Sequence, residues 1–391
     1  MSEKLRILEV VDNWFPIVDG VVQVVDNYAK NLNKIADCTV MCPKYPDMPV
    51  IDDYPIRYVP SMSGGKYGVR LPLPWLDLKL KKFLDEEKFD IIHLHSPVTM
   101  AKYILRYAKK RGIPVVTSIH TRYHEEINRS VKTPFLQRFA LWFLTSSLKK
   151  SDYLWTVADG MTEYAKSIGV DNPCTVMRNC TDFIPPEKHE EEELRHAVRA
   201  KHSLKDDEIV LLTVGRLVVV KRWDVVIDAV KKLKDDGIKV KLLIIGDGDY
   251  RPTLEKQVKK LELKNEVVFA GMVTDRRELA AYFLAGDLLL FPSTFDASSL
   301  VPVEASAVGL PTLIVEGSST AEPIIDGHNG YLCDGSAEGF AEGVKRVLSD
   351  KENYLEVRIN AEKELYRSWA GETPEILREY EKIVADYKSK K

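Results

Sequence analysis

Short apolar runs recur along this chain and alternate with longer segments in which apolar residues return every third or fourth position. "LRILEVV", "CTVMCP", "IRYVP", "DIIHLH" and "PVVTSIH" read as strands, and between them "VVQVVDNYAKNLNKI", "LDLKLKKFLDEEK" and "TMAKYILRYAKKRG" read as helices, the last ending at Gly112. Strands that are apolar throughout, each followed by an amphipathic helix, predict a parallel sheet covered on both faces.

The alternation stops in "VMRNCTDFIPPEKHEEEELRHAVRAKHSL", where two prolines and an acidic run mark a linker at about 180–195. It restarts with "EIVLLTVG", "WDVVIDAVKKLKDDG", "VKLLIIG", "YRPTLEKQVKKLEL", "EVVFAG", "LLLFP", "PTLIV" and "GYLC". The expected fold class is therefore α/β, with two doubly wound Rossmann-like domains. Residues 1–185 would form the first and 186–368 the second, and 369–391 a final helix packing back toward the first. Ligands of such sheets bind beyond the carboxyl ends of the strands, so a deep cleft between the two domains is the expected site.

Composition narrows the class of function. At 391 residues the chain exceeds one ordinary core. A net charge of −3 provides no general positive field for nucleic acid. The five cysteines include no C-x-x-C pair, and Cys38 and Cys42 are spaced unsuitably for zinc. No run approaches the ~20 apolar residues of a membrane span, and "MSEKLRILEVVDNWFP" lacks the pattern of a secretory signal. The expectation is a reduced, cytoplasmic enzyme.

Chemistry concentrates at the strand exits. Gly215 and Arg216 leave "LLTVGR", with Lys221 five residues on, and such a cationic pair suits a diphosphate. Gly246 and Gly248 follow "VKLLII", but Arg251 stands where a dinucleotide fingerprint needs its third glycine, so a tight strand-to-helix turn is the better reading. In "FPSTFDASSLVPVEASAVG" a strand exit carries Asp296 and a helix carries Glu304. Ser298 or Ser299 could cap that helix, Pro302 suits its first turn, and Gly309 ends it. The N–H groups at its start would favour an anion. In the first half, Asp19 and Gly20 lie in the first strand-to-helix loop. His93, His95, His120 and His124 lie near strand ends. His93 and His95 share one strand face, yet no third ligand is spaced to complete a metal site, and no metal is expected. His120 is the histidine best placed to face a ligand.

These pieces together resemble the family-four (GT4-type) retaining glycosyltransferases of the GT-B fold over essentially the whole chain. The resemblance rests on "FPIVDGV" (15–21), "FDIIHLHSP" (89–97), "HTRY" (120–123), "RNCTD" (178–182), "VGRLVVVKRWDVVIDA" (214–229), "IIGDGD" (244–249), "FDASSLVPVEASAVGLP" (295–311) and "AEPIIDGHNGYL" (321–332). It implies a metal-independent hexosyltransferase without cofactor, using a nucleotide-diphosphate sugar, by resemblance a UDP-sugar, and a hydroxyl acceptor. Arg216 and Lys221 would neutralise the diphosphate. Glu304 would take the ribose hydroxyls, and Asp296 would face the donor sugar. Backbone N–H groups of Ala297, Ser298, Ser299 and Leu300 would hold sugar or phosphate. Gly20 would press on the diphosphate, and His120 would reach the donor sugar. Asp19, His120, Arg122 and Tyr123 would lie on the acceptor side, Asp19 being a weak candidate for moving a proton. The catalytic set is then Asp296, His120, Arg216 and Lys221.

Three departures stand out. Asp296 replaces the family's glutamate and "ASS" its Gly-aromatic-Gly, which puts the donor sugar in question. "RNCTD" replaces an Asn-Gly-x-Asp turn, a change expected on the hinge side rather than in the chemistry. "TVADG" lacks the usual serine near 158. A nucleotide-sugar epimerase or hydrolase of the same fold, and a non-catalytic nucleotide binder, stay open as alternatives. The acceptor is undefined: glycolipid, polysaccharide and small molecule all fit. "RSVKTPFLQRFALWFLTSSLKK" (129–150) reads either as a core-facing helix or as a basic amphipathic helix resting on an anionic membrane at its inner face.

Overall fold

The computed structural model describes residues 4–17, 19–64, 68–205 and 207–390; Val18, within the first quoted motif, lies outside them. The chain divides into two compact units, Met1–Asn179 with Trp369–Lys391, and Cys180–Ser368.

The first unit begins β1 (Arg6–Val10), α1 (Gly20–Leu32), β2 (Asp37–Pro43) and β3 (Ile56–Val59). An antiparallel pair follows, β4 (Ser61–Ser63) and β5 (Arg70–Pro72), then α2 (Leu80–Glu87), β6 (Ile91–Leu94), α3 (Thr99–Arg111) and β7 (Val115–Ile119). The unit continues through α4 (Tyr123–Ser130), α5 (Pro134–Leu148), β8 (Tyr153–Thr156), α6 (Asp159–Ser167) and β9 (Cys174–Val176). Its sheet is parallel, in the order β3-β2-β1-β6-β7-β8-β9.

The second unit opens with α7 (Glu191–Lys201), β10 (Ile209–Val214), α8 (Trp223–Asp235), β11 (Val240–Ile245), α9 (Arg251–Lys260) and β12 (Val267–Gly271). Then come α10 (Arg276–Ala285), β13 (Leu288–Phe291), α11 (Val301–Ser306), β14 (Thr312–Val315), β15 (Tyr331–Cys333), α12 (Ala337–Ser349) and α13 (Lys351–Leu365). Its sheet runs β12-β11-β10-β13-β14-β15, again parallel. The chain then returns to the first unit as α14 (Trp369–Ser389).

Both sheets are buried on both faces, which explains the unbroken apolar strands. In the second unit Leu211, Leu242, Ile244 and Leu290 belong to one core cluster. Their neighbours Val210, Leu212, Leu243, Ile245 and Leu289 belong to the other, as the two-residue period of a strand requires. Helix ends follow local chemistry. Asp19 caps α1 by accepting from Val22 N–H, Asp275 caps α10 through Glu278 N–H, and Gly112, at φ 69°, closes α3.

The structure corrects the expected linker. Residues 180–185 belong to the second unit, where Phe183 is fully buried against Phe283, and Glu191–Lys201 of the acidic run is helical.

Each sheet reverses its winding once, between β1 and β6 and between β10 and β13. These switch points are where open α/β sheets bind ligands. Beside the second, the loops leaving β10 and β11 touch: Gly246 sits at φ 139°, and a Cβ there would lie 2.0 Å from the Gly215 carbonyl oxygen. Gly246→Ala is therefore expected to lower stability by about 3 kcal/mol or more. Urea unfolding followed by tryptophan fluorescence measures this; a midpoint equal to that of the parent would refute the contact.

Candidate active site

At the switch point of the second unit, Lys221 arrives from the loop after β10 and Asp296 from the loop after β13. The Lys221 Nζ lies 2.5 Å from Asp296 Oδ1 and 2.7 Å from Oδ2, with both side chains largely shielded from water. Sequence reasoning gave these residues to diphosphate and sugar separately; the structure binds them to each other. Arg216 is exposed, and among the described residues its guanidinium has no partner. The loop beneath it is held by the buried Trp223 indole, whose Nε1–H donates to the Arg216 carbonyl at 2.9 Å. The pair has little net charge, so Arg216 is the uncompensated cation here.

The segment after Asp296 differs from expectation. The cap position of α11 is Leu300, not Ser298 or Ser299, although Ser299 Oγ accepts a long hydrogen bond of 3.4 Å from Val301 N–H, the first of the helix. Ser299 N–H is taken by Thr320 Oγ1 at 3.2 Å, whereas Ala297 and Leu300 N–H have no partner within the described residues. α11 has six residues, so its dipole is small.

Glu304, one turn into α11, is 5% exposed. Its Oε1 accepts from Arg276 at 2.8 Å and Thr181 at 3.2 Å, while Oε2 has no protein partner among the described residues. Burial raises its pKa, and Arg276 and Thr181 offset part of that rise. Arg276 also binds Asp182 at 2.6 Å. The "RNCTD" loop thus supports Glu304 directly, correcting its assignment to the hinge side alone. Arg276 was missed by sequence reasoning because "TDRRELAAY" reads as an ordinary helix start.

At the first switch point a polar network is buried inside the sheet. Glu9 on β1 pairs in register with His93 on β6. Its Oε2 lies 2.6 Å from His95 Nε2, and its Oε1 accepts the Tyr380 hydroxyl from α14 at 2.9 Å. His93 Nδ1 is 2.6 Å from Tyr380 Oη and its Nε2 2.7 Å from Ser118 Oγ. His95 Nδ1 is 3.1 Å from His120 Nε2. Sequence spacing showed no third residue beside the two histidines; strand pairing supplies Glu9, and donor-type atoms of Glu9, His93 and His95 lie within 4.8 Å of one another. Every one of those atoms is already engaged in a hydrogen bond, which fits a closed polar network better than an ion.

The other first-unit residues have plainer surroundings. Asp19 is the exposed α1 cap, its Oδ1 accepting from Val22 N–H and its Oδ2 from Asn13 at 2.7 Å. Gly20 faces open space where a Cβ would stand. Arg122 precedes α4 and lies 3.4 Å from Glu125, and Tyr123 begins that helix, half-buried. A cavity of about 360 Å³ in the second unit lies at the amino ends of β10 and β13, away from all these residues.

By the matches that follow, these two doubly wound parallel sheets are a GT-B fold and the chain is a nucleotide-sugar-dependent glycosyltransferase. The chain belongs to glycosyltransferase family 4: the model "Glycosyltransferase Family 4" matches residues 18–183 and "Glycosyl transferases group 1" matches residues 195–364. It is 25% identical over 339 residues to the N-acetyl-alpha-D-glucosaminyl L-malate synthase of Bacillus anthracis, covering 85% of each chain. It is 26% identical over 340 residues to the alpha-monoglucosyldiacylglycerol synthase of Acholeplasma laidlawii, covering 83% of this chain and 84% of that one. Among solved structures, Anabaena HepE in complex with UDP superposes with a TM-score of 0.74 at 17% identity, covering 98% of this chain and 100% of that one.

The raised pKa of Glu304 carries a stability consequence. A carboxyl whose folded pKa exceeds its unfolded value stabilises the fold fully at low pH, and that contribution is lost as pH rises through the folded pKa. Glu304→Gln is therefore expected to melt no lower than the parent at pH 8 without ligand, with any advantage shrinking toward pH 5. Thermal melts across that range decide; a markedly lower melting point at pH 8 would contradict it.

Proposed function

We propose that this chain transfers a hexose from a uridine diphosphate sugar to a hydroxyl of a membrane lipid or lipid-linked glycan, retaining the anomeric configuration and requiring no metal. The observation that carries the proposal is the cluster at the second switch point: a free Arg216, the Lys221–Asp296 pair, and Glu304 with one open oxygen.

As the C1–O bond to the diphosphate breaks, negative charge gathers on the departing phosphate. Arg216 meets it with a planar fork of donors, helped by the free N–H groups of Ala297 and Leu300. The acceptor oxygen bonds to C1 on the same face and its proton passes to the leaving phosphate oxygen. Asp296, oriented by Lys221, faces the sugar hydroxyls, and Glu304 Oε2 accepts from the ribose. The names of both relatives above specify α-linked products, and an α-product from an α-linked donor is retention. UDP in the HepE complex supports the choice of base.

The lipid acceptor is supported by α5. Phe135, Phe139 and Trp142 fall on one face and are 76%, 53% and 61% exposed, with Lys132 and Arg138 exposed beside them. Its buried residues are Thr145, Ser147 and Leu148 at the far end, so the core-facing reading fails for the aromatic stretch. Among the described residues no helix is long and apolar enough to cross a membrane. An aromatic face flanked by cations suits the surface of an anionic bilayer, and one relative is named for a glycolipid product.

A thermal-shift panel of UDP, GDP, ADP and their hexose conjugates tests the donor. UDP compounds should stabilise the parent, by about 2.7 kcal/mol at 100 times Kd, and Glu304→Ala far less; no shift from any compound would remove the donor-site assignment. Asp296→Asn frees Lys221 from its counter-charge, so it should bind UDP about tenfold more tightly while turnover falls. Calorimetry showing weaker UDP binding would contradict this reading of the pair. Flotation with phosphatidylglycerol vesicles should recover the parent but not a Phe139→Ser/Trp142→Ser variant, and neither with neutral vesicles. Equal recovery of both proteins would exclude α5 as the contact.

A further inference from the structure

The hydrogen bonds around Glu9 run in a single direction. Burial alone would raise its pKa, but His93 and His95 outweigh burial and bring it to about 2, so both oxygens are acceptors. An ionised carboxylate has no proton to give, so His95 carries its hydrogen on Nε2. Burial, and next to it His93, lower His95 to about 4. His95 is therefore neutral at ordinary pH and its Nδ1 is bare. His120 Nε2 stands 3.1 Å from that bare nitrogen, the two rings nearly parallel at 11° with their centroids 5.3 Å apart, so that they meet edge to edge. Two lone pairs at that distance would repel, so His120 carries its hydrogen on Nε2 and donates it. Burial, then His95 and His93, hold His120 well below its ordinary value, which leaves its Nδ1 without a proton. Nδ1 has no partner among the described residues, and the half-buried ring sits at the carboxyl end of β7.

We infer that Glu9 and His95 are positioning residues that lock His120 as the Nε2–H tautomer, so that its Nδ1 accepts a hydrogen bond from a substrate hydroxyl. The identity of that hydroxyl as a sugar's rests on the function proposed above; the tautomer chain does not. An acceptor nitrogen selects a ligand group with a hydrogen to give, and a fluorine or carbonyl oxygen at that position offers none. The groups packed around the chain, Tyr28 of α1, His93 of β6 and Tyr380 of α14, include no further carboxylate to reverse it.

Long-range proton–nitrogen NMR correlations on histidine-labelled full-length protein test the lock, with His120 assigned from its loss in His120→Asn. The parent should show His95 and His120 as single Nε2–H tautomers, unchanged from pH 8 to pH 5. In Glu9→Gln the amide can donate to His95, and both rings should move to mixed tautomers. Tyr380→Phe disturbs the same buried cluster but keeps the Glu9–His95 bond, and His120 should stay as in the parent. If Glu9→Gln does not fold, His95→Gln serves in its place, and His120 should lose its single tautomer. An Nδ1–H form of His120 in the parent, or equal changes in Glu9→Gln and Tyr380→Phe, would overturn the inference. With a donor sugar identified, Glu9→Gln should lower kcat about tenfold or more at little change in donor KM. A nucleotide panel with no binder would defeat the proposed function yet leave the NMR result standing, so the two failures are distinguishable.

Discussion

A carboxylate cut off from water sits in the middle of the first sheet, and much of that unit is arranged around its needs. An ionised Glu9 at 0% exposure is tolerable only with several donors aimed at it. One comes from His95, just past the neighbouring strand β6, and one from Tyr380 on α14. The aromatic packing follows the same centre: Trp155 and Tyr380 stack at 4.7 Å, and Tyr28 of α1 meets Trp369 at 4.8 Å. The return of α14 to the first unit is thus tied to a specific electrostatic demand as well as to apolar burial.

The second unit solves a different problem with the same topology. In the function proposed above its switch point holds charge that changes during a reaction, and fixed countercharges are distributed unevenly over it. Lys221 is matched by Asp296 and Glu304 by Arg276, while Arg216 is left uncommitted. Matched pairs hold geometry; an unmatched cation supplies field. The glycines of the flanking loops contribute by letting backbones approach closer than any side chain would allow.

Much of the fold was legible in the sequence because parallel strands buried on both faces leave continuous apolar runs, and glycine and aspartate mark helix ends. Arg216, Lys221 and Asp296 were legible as candidates because they follow strand exits, and Glu304 because it stands one turn into the helix after one. What escaped were partners fixed by pairing between distant segments. Nothing in the spacing of Glu9, His93 and Tyr380 links them, and Arg276 meets Glu304 only because α10 and α11 fold beside the 180–183 loop. Two signals were present without being used: the lone acid inside "RILEV", and histidines alternating in a strand expected to be buried on both faces. A charged or titratable residue in such a strand must have a partner, and the neighbouring strands are where to seek it.

The placement of α14 also bears on how the chain is made. Residues up to Asn179 leave the ribosome before Cys180–Ser368, yet they lack Tyr380 until that intervening unit has also been synthesised. During that interval Glu9 and His93 lack one of their hydrogen-bonding partners, and the surface of α1 that packs on α14 is open to solvent. The unit encoded first is therefore the one completed last, and the inserted unit has the opportunity to fold before its host closes around the C-terminal helix.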